Sequence, residues 1–352
     1  MEENMVLFLV WVDMFRQWLV GIGIPALPAE ILIKTILVLI VIIFVLTNLI
    51  VLVWLERKFA AFYADRVGPN RLGPAGFLQF PVDIVKMLGK EDIIPENVDR
   101  PVFKIASICA FLTAIMGWAV IPLGKGMILE DLNVGLLYFI AIGSTGTIAF
   151  VMAGFASNNK YALLGGMRTA AQMISYEIPL AFSLLGIVMI TGSLSLTEIV
   201  DAQKNVWFIF PQILAFCAYF VCSIAETNRG PFDLAEGEQE LVAGYFVEYS
   251  GIRYALFMVA EYTHLVAVSA IAAVVFLGGW NAPFGLTFIP GFIWMMIKIY
   301  LMIFLFMWVR WTFVRVKVEH LMHIGWKFLI PLTLFNIVIT GIGVYVYRMI
   351  AG

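Results

Sequence analysis

Eight stretches of the chain stay apolar for about the thickness of a bilayer: 33–55, 102–123, 133–157, 169–191, 206–225, 254–279, 288–311 and 327–348. A hydrocarbon core of roughly 30 Å is crossed by about 20 helical residues, and a helix satisfies its own backbone hydrogen bonds there. The expected fold is therefore an all-α integral membrane protein of about eight transmembrane helices, forming one membrane domain over 1–352. Composition agrees: 62% of residues are hydrophobic and 13% charged, against about 25% charged in an ordinary soluble domain. The stretch 1–30 stands apart, because Asp13, Arg16 and Gln17 fall on one face of the otherwise apolar Met5–Val20. That pattern predicts a helix lying at the membrane interface or an extra span. Glu2 and Glu3 occupy the place of a basic n-region and argue against a signal peptide.

With eight spans the loops alternate sides. One side collects most of the Lys and Arg, from Arg57 and Lys58 through Arg229 to Arg315 and Lys317, and the other only Arg16, Lys34, Lys125, Lys204 and Arg348. The positive-inside rule makes the first side cytoplasmic and puts both chain ends outside. Function is expected on the cytoplasmic loops 56–101, 226–253 and 312–326, which hold nearly all the Gly, Pro and charge. Several classes drop out. A net charge of −2 without a basic block gives no reason to expect nucleic acid. Cys109, Cys217 and Cys222 have no CxxC spacing, and His320 with His323 lacks further ligands, so no metal or iron–sulfur site is expected from this chain alone. The third histidine, His264, sits within a span. No Ser/His/Asp set, Walker loop or GxGxxG is present, so no self-contained enzyme chemistry is expected.

Within the loop 56–101, "RVGPNRLGPA" repeats Arg-x-Gly-Pro after five residues, and such turns can aim backbone N–H groups and arginines inward. Phe77, Phe80, Ile84, Val85 and Leu88 then recur at helical spacing, with Gln79, Asp83 and Lys86 on another face, predicting an amphipathic surface helix. The basic residues Arg57, Lys58, Arg66, Arg71, Arg310, Arg315 and Lys317 serve equally as ligand contacts or as anchors to anionic lipid.

The carboxylates form two groups. Glu177 and Glu261 each lie about eight residues into a span, near 12 Å deep at 1.5 Å per residue. Intramembrane acids usually mark proton or ion routes; the plainer alternative is a structural pair with Arg253 or Tyr176. The second group is the connection 226–251, "ETNRGPFDLAEGEQELVAGYFVEYSG", in which Glu226, Glu236, Glu238, Glu240 and Glu248 stand against a single arginine. Close carboxylates in a partly dry site cannot all ionise and can therefore store and pass protons. The plain alternative is a solvated acidic loop, disfavoured by interleaved Phe232, Leu234, Leu241, Val242, Tyr245 and Phe246. Lys298, inside a span, is expected to pair with an intramembrane glutamate, and the glycines of "FLGGW" and "ITGIG" to serve helix packing.

The stretches "ERKFAAFYADRVGPNRLGPAGFLQFPVDIVKMLGKE" (56–91), "ETNRGPFDLAEGEQELVAGYFVEYSG" (226–251), "FLGGW" (276–280) and "HLMHIGWKFLIPL" (320–332) resemble the quinone-chamber membrane subunits of respiratory complex I. The resemblance runs from about residue 32 to the end. It implies an eight-helix subunit of a proton-translocating NADH:quinone oxidoreductase in the bacterial cytoplasmic membrane, inactive alone. Ubiquinone or menaquinone would be the substrate, with iron–sulfur clusters, FMN and NADH held by partners. Those partners would be the soluble-arm subunits that carry the terminal cluster, small membrane subunits and antiporter-like pumping subunits. The resemblance places Arg57, Arg66, Asp83 and Phe232 at the quinone and Glu177, Glu226, Glu236, Glu238, Glu240, Glu248 and Glu261 on the proton path. The chain departs from the family pattern at Ala64, at Ala235 and Gly237 around Glu236, and at Glu319-His320. Two alternatives stand beside this reading: the equivalent subunit of a membrane-bound hydrogenase or other donor-driven complex, and a stand-alone secondary transporter, for which no half-to-half symmetry is visible.

Overall fold

The computed structural model describes residues 14–18, 20–21, 25–235, 237–283 and 288–351. Within them the chain is a helical bundle without a named strand. Its helices are α1 (Ala26–Tyr63), α2 (Gln79–Gly89), α3 (Arg100–Met116), α4 (Gly135–Ala156), α5 (Lys160–Thr191), α6 (Leu196–Ala202) and α7 (Ile213–Glu226). After them come α8 (Gly251–Val275), α9 (Gly291–Thr312) and α10 (Ile330–Ala351), the last reached from the short helix Val318–His323 through a π-helical turn, Ile324–Leu329. Among the described residues seven helical stretches are long and apolar enough to cross a membrane, and α7 is a shorter apolar eighth. The described part of the N-terminal segment, 14–18, is helical and exposed; the rest of Met5–Val20 lies mostly outside the described residues.

Two helices organise the bundle. In α8, 83% of the apolar stretch is buried by neighbours, against 22% in α1, so α8 is the centre and α1 a peripheral helix left facing lipid. The central α8 packs on α3, α9, α1 and α2, whereas α5 gathers α4, α7 and α10. Local chemistry sets the limits of α5. The Asn159 side chain accepts from the Tyr161 N–H at 2.9 Å, and Gly192, at φ 74°, ends the helix in the left-handed conformation. Gln172 of α5 then holds the connection after α7, donating to the carbonyls of Ala225 (2.7 Å) and Phe232 (2.8 Å).

Two expectations need correction. The span expected at 206–225 is helical only from Ile213, because Pro211 has no N–H to continue a helical ladder. Its fourteen residues reach only about 21 Å. Non-helical backbone at such depth must find partners in protein, and it does: Phe208 N–H donates to the Gln203 side chain (3.2 Å) and Ile209 N–H to the Phe276 carbonyl (3.0 Å). Lys298 meets no glutamate among the described residues. Its ammonium donates to the carbonyls of Gly279 and Asn281, both at 2.7 Å, and lies 4.5 Å from the Trp207 ring centroid. The glycines of "FLGGW" are the reason, since Gly278 (φ 72°) and Gly279 (φ 50°) turn the backbone after α8 so that carbonyls face the lysine. They also serve packing, since a Cβ on Gly279 would lie 2.7 Å from Val200 Cγ2 of α6.

Candidate functional site

At the loop-rich end of α1 the chain folds back on the helix. In the Arg-x-Gly-Pro turns a Cβ on Gly73 (φ 69°) would lie 2.7 Å from Leu78 Cγ and one on Gly68 3.1 Å from Ala61 Cβ, and just after them a Cβ on Gly76 would lie 2.1 Å from the Pro69 carbonyl oxygen, so the returned loop packs closely at its glycines. Trp54 Nε1 donates to the Ala75 carbonyl at 3.1 Å and fastens the returned loop. The next element, α2, is the expected amphipathic helix: it buries no residue and leaves Val82, Val85 and Leu88 exposed. It is fastened to α1 by Arg57 and Asp83 at 2.7 Å, and Gln79 donates to Asp83 at 3.1 Å. Between α1, the loop, α2 and α8 lies a cavity of about 830 Å³. Arg57, Arg66 and Asp83 line it with Lys86, and Phe80 and Met258 are among its apolar walls. Its size and mixed lining suit an organic ligand with a polar head. Phe232 is elsewhere, 6% exposed with its ring 5.7 Å from that of Tyr176.

Glu56, on the same cavity wall, is 7% exposed and reaches two arginines. Arg229 Nη1 lies 3.1 Å from its Oε1, and Arg310 hydrogen-bonds the same oxygen. The Arg229 guanidinium stacks 4.0 Å from the centroid of Tyr262, another lining residue. This is a buried ionic cluster between α1, α9, α8 and the loop after α7.

The next residue back along α8, Glu261, faces a different space. With Glu226 and His264 it lines a cavity of about 40 Å³, room for roughly three waters when one needs about 10–15 Å³. Tyr245 donates to Glu261, and His264 Nε2 lies 3.3 Å from Glu226 Oε1. Glu177 accepts from Ser144. The alternative partners do not engage: Arg253 pairs with Asp92 at 2.8 Å, and Tyr176 donates to the Leu321 carbonyl at 2.9 Å. Glu248 accepts from Asn159 at 2.7 Å. Glu240, with its side chain 52% exposed, sits 2.6 Å from Arg168, whose hydrogen bond holds its carboxyl below the usual carboxylate range. Glu236 and the side chain of Glu238 lie outside the described residues.

The family described as NADH dehydrogenase matches residues 36–341, most of this chain. The chain belongs to that family. Among its relatives, an NADH-quinone oxidoreductase subunit of Carboxydothermus hydrogenoformans is 47% identical over 350 residues, covering 99% of both chains. The protein of the same name from Geobacillus kaustophilus is 51% identical over 288 residues, 82% of this chain and 86% of its own. The structure brings to these candidates several residues that sequence reasoning did not single out as their partners. Glu56 was passed over because it borders an apolar run, Tyr262 and Ser144 because single polar groups inside such runs are common, and Asn159 because a helix cap gives no sign of a distant partner. His264 is three residues from Glu261, one turn along the same face, and that spacing is the signal that could have joined it to the acids.

Proposed function

We propose that the chain is the membrane subunit of a proton-translocating NADH-quinone oxidoreductase, forming the quinone entrance and chamber floor and the start of the proton path. The observation that carries this reading is the adjacency of two unlike cavities on one turn of α8. Tyr262 faces the large cavity of about 830 Å³, and its neighbour Glu261 faces the water-sized one of about 40 Å³. A quinone headgroup beside Arg57 and Asp83 would accept electrons from a cluster held by a soluble-arm partner. The charge that appears on it would act through Arg229 and Tyr262 on Glu261. Glu226, Glu177 and Glu248 would extend the relay towards small membrane subunits and antiporter-like pumping subunits. The relatives' name supports the reaction, and the basic loops support a cytoplasmic placement of this face with both chain ends outside, in a bacterial cytoplasmic membrane.

Arg57→Ala in the assembled complex tests the entrance. It removes the 2.7 Å pair with Asp83, so the apparent KM for quinone should rise or quinone reduction should stop. NADH oxidation by a hydrophilic acceptor should continue. An unchanged KM would remove Arg57 from the quinone path, and equal loss of both rates would mean failed assembly.

A further inference from the structure

We infer that His264 is a proton-carrying residue, accepting a proton from the Glu261 side of the small cavity and delivering it to Glu226. The inference rests on the proton-path reading above and adds to it a group that is not a carboxylate. Placement is the first argument. Glu261 and His264 are one helical turn apart, about 4.5 Å along the α8 axis, and both line the cavity of about 40 Å³ that also touches Glu226. A water there would span what the side chains do not.

The second argument is the looseness of the contact. His264 Nε2 is 3.3 Å from Glu226 Oε1, yet among the described residues it makes no hydrogen bond of good angle, and Glu226 Oε2 is buried without a partner. Both groups are enclosed, with side chains 18% and 9% exposed. The imidazole lies nearly parallel to the Phe139 ring, 7° between planes with centroids 6.4 Å apart. An oriented ring beside an unsatisfied carboxylate can take or give a proton without rebuilding its surroundings.

The third argument is chemical identity. Glu56 is paired with guanidinium groups, which hold their protons beyond about pH 12 and cannot exchange them with a carboxylate. Imidazole and carboxylate are only about two pKa units apart in water, so a shift in local charge can reverse the direction of transfer between them. Glu226 from α7 and Glu261 from α8 itself share the ring's cavity, and charge reaches them from Glu177 of α5, within electrostatic range of Glu226, and from Arg229, acting on Glu261. In the forward step an O–H bond on the Glu261 side breaks and an imidazole N–H forms. That N–H then breaks as Glu226 gains the proton, and His264 returns to neutral with no electron moved.

The test uses the assembled complex in proteoliposomes, comparing His264→Gln and His264→Asn with Glu226→Gln. Amides keep hydrogen-bonding capacity but do not titrate. Both histidine variants should lose at least about five-fold in quinone-linked proton pumping and slow quinone turnover with it, while oxidising NADH with a hydrophilic acceptor at the parental rate. The pH profile of pumping should also change shape in both variants, a change that a merely structural histidine would not produce. Parental pumping and an unchanged profile in the histidine variants, with Glu226→Gln impaired, would overturn the role of His264 and leave the carboxylate path standing. Parental pumping in Glu226→Gln would overturn the path itself.

Discussion

Glu56 is enclosed with two cations that share one of its carboxylate oxygens. Replacing it by Gln leaves Arg229, 8% exposed, as a buried charge with that anion gone. Removing one partner of a buried pair typically costs about 3–5 kcal/mol. Glu56→Gln should therefore lower the yield of assembled complex and its thermal stability, read by native gel and by the temperature at which subunits dissociate; parental yield and stability would show that water already screens the cluster. Glu240 behaves differently. Its carboxyl is held low by Arg168, so the contact is complete above the ordinary glutamate range near pH 4.3 and is lost only as pH falls through the lowered folded value. At neutral pH it stays ionised, which suits an anchor of the acidic loop better than a carrier. The sequence shows Glu240 in a visibly acidic stretch and Glu56 at the edge of an apolar run. What it does not display is the partner, since Glu56 meets Arg229 across 173 positions.

At the scale of elements, the acidic connection owes its position to one close approach. A Cβ on Gly165 of α5 would stand 2.7 Å from Gly244 Cα and 2.8 Å from the Tyr245 nitrogen, backbone atoms that cannot rotate away. Gly165→Ala should push this loop off the helix and separate Tyr245 from Glu261, at a cost of about 1–3 kcal/mol for overpacking. The expected readout is a fall in coupled pumping beside a smaller loss of assembly. Gly343→Ala, with nothing within 4 Å of the added carbon, is the neutral control; equal effects from the two would separate the phenotype from the contact. Elements were readable to the extent that hydropathy governs them. The amphipathic α2 and the long apolar helices follow directly from periodicity and length. The short α7 does not, because a window of apolar residues cannot report that Pro211 interrupts the ladder and that Gln203 and Phe276 supply the missing partners. Lys298 escaped for a related reason: its partners are carbonyls exposed by two glycine turns, and carbonyls have no letter in a sequence.

At the scale of the whole molecule, the two cavities must communicate if quinone chemistry is to move protons, and the carboxylates supply the means. At about 4 Å and an effective dielectric near 20, a unit charge shifts a neighbour by about 4 kcal/mol, roughly three pKa units. That is enough to change which of several competing groups holds a proton at pH 7. Glu226 stands at the small cavity, 8% exposed, whereas Glu248 sits at the edge of the loop with Asn159. Replacing both by Gln preserves shape and some hydrogen bonding while removing both ionisations. In the intact complex the Glu226→Gln, Glu248→Gln double variant should assemble, keep hydrophilic-acceptor activity, and lose at least about ten-fold in quinone-linked pumping. Pumping and quinone turnover are to be measured together in sealed vesicles, because a leak would lower the gradient without slowing turnover, whereas a broken relay in a coupled machine slows both. Full pumping at normal quinone turnover would take these two glutamates off the path and return the acidic connection to a structural loop that fastens α5 to α8.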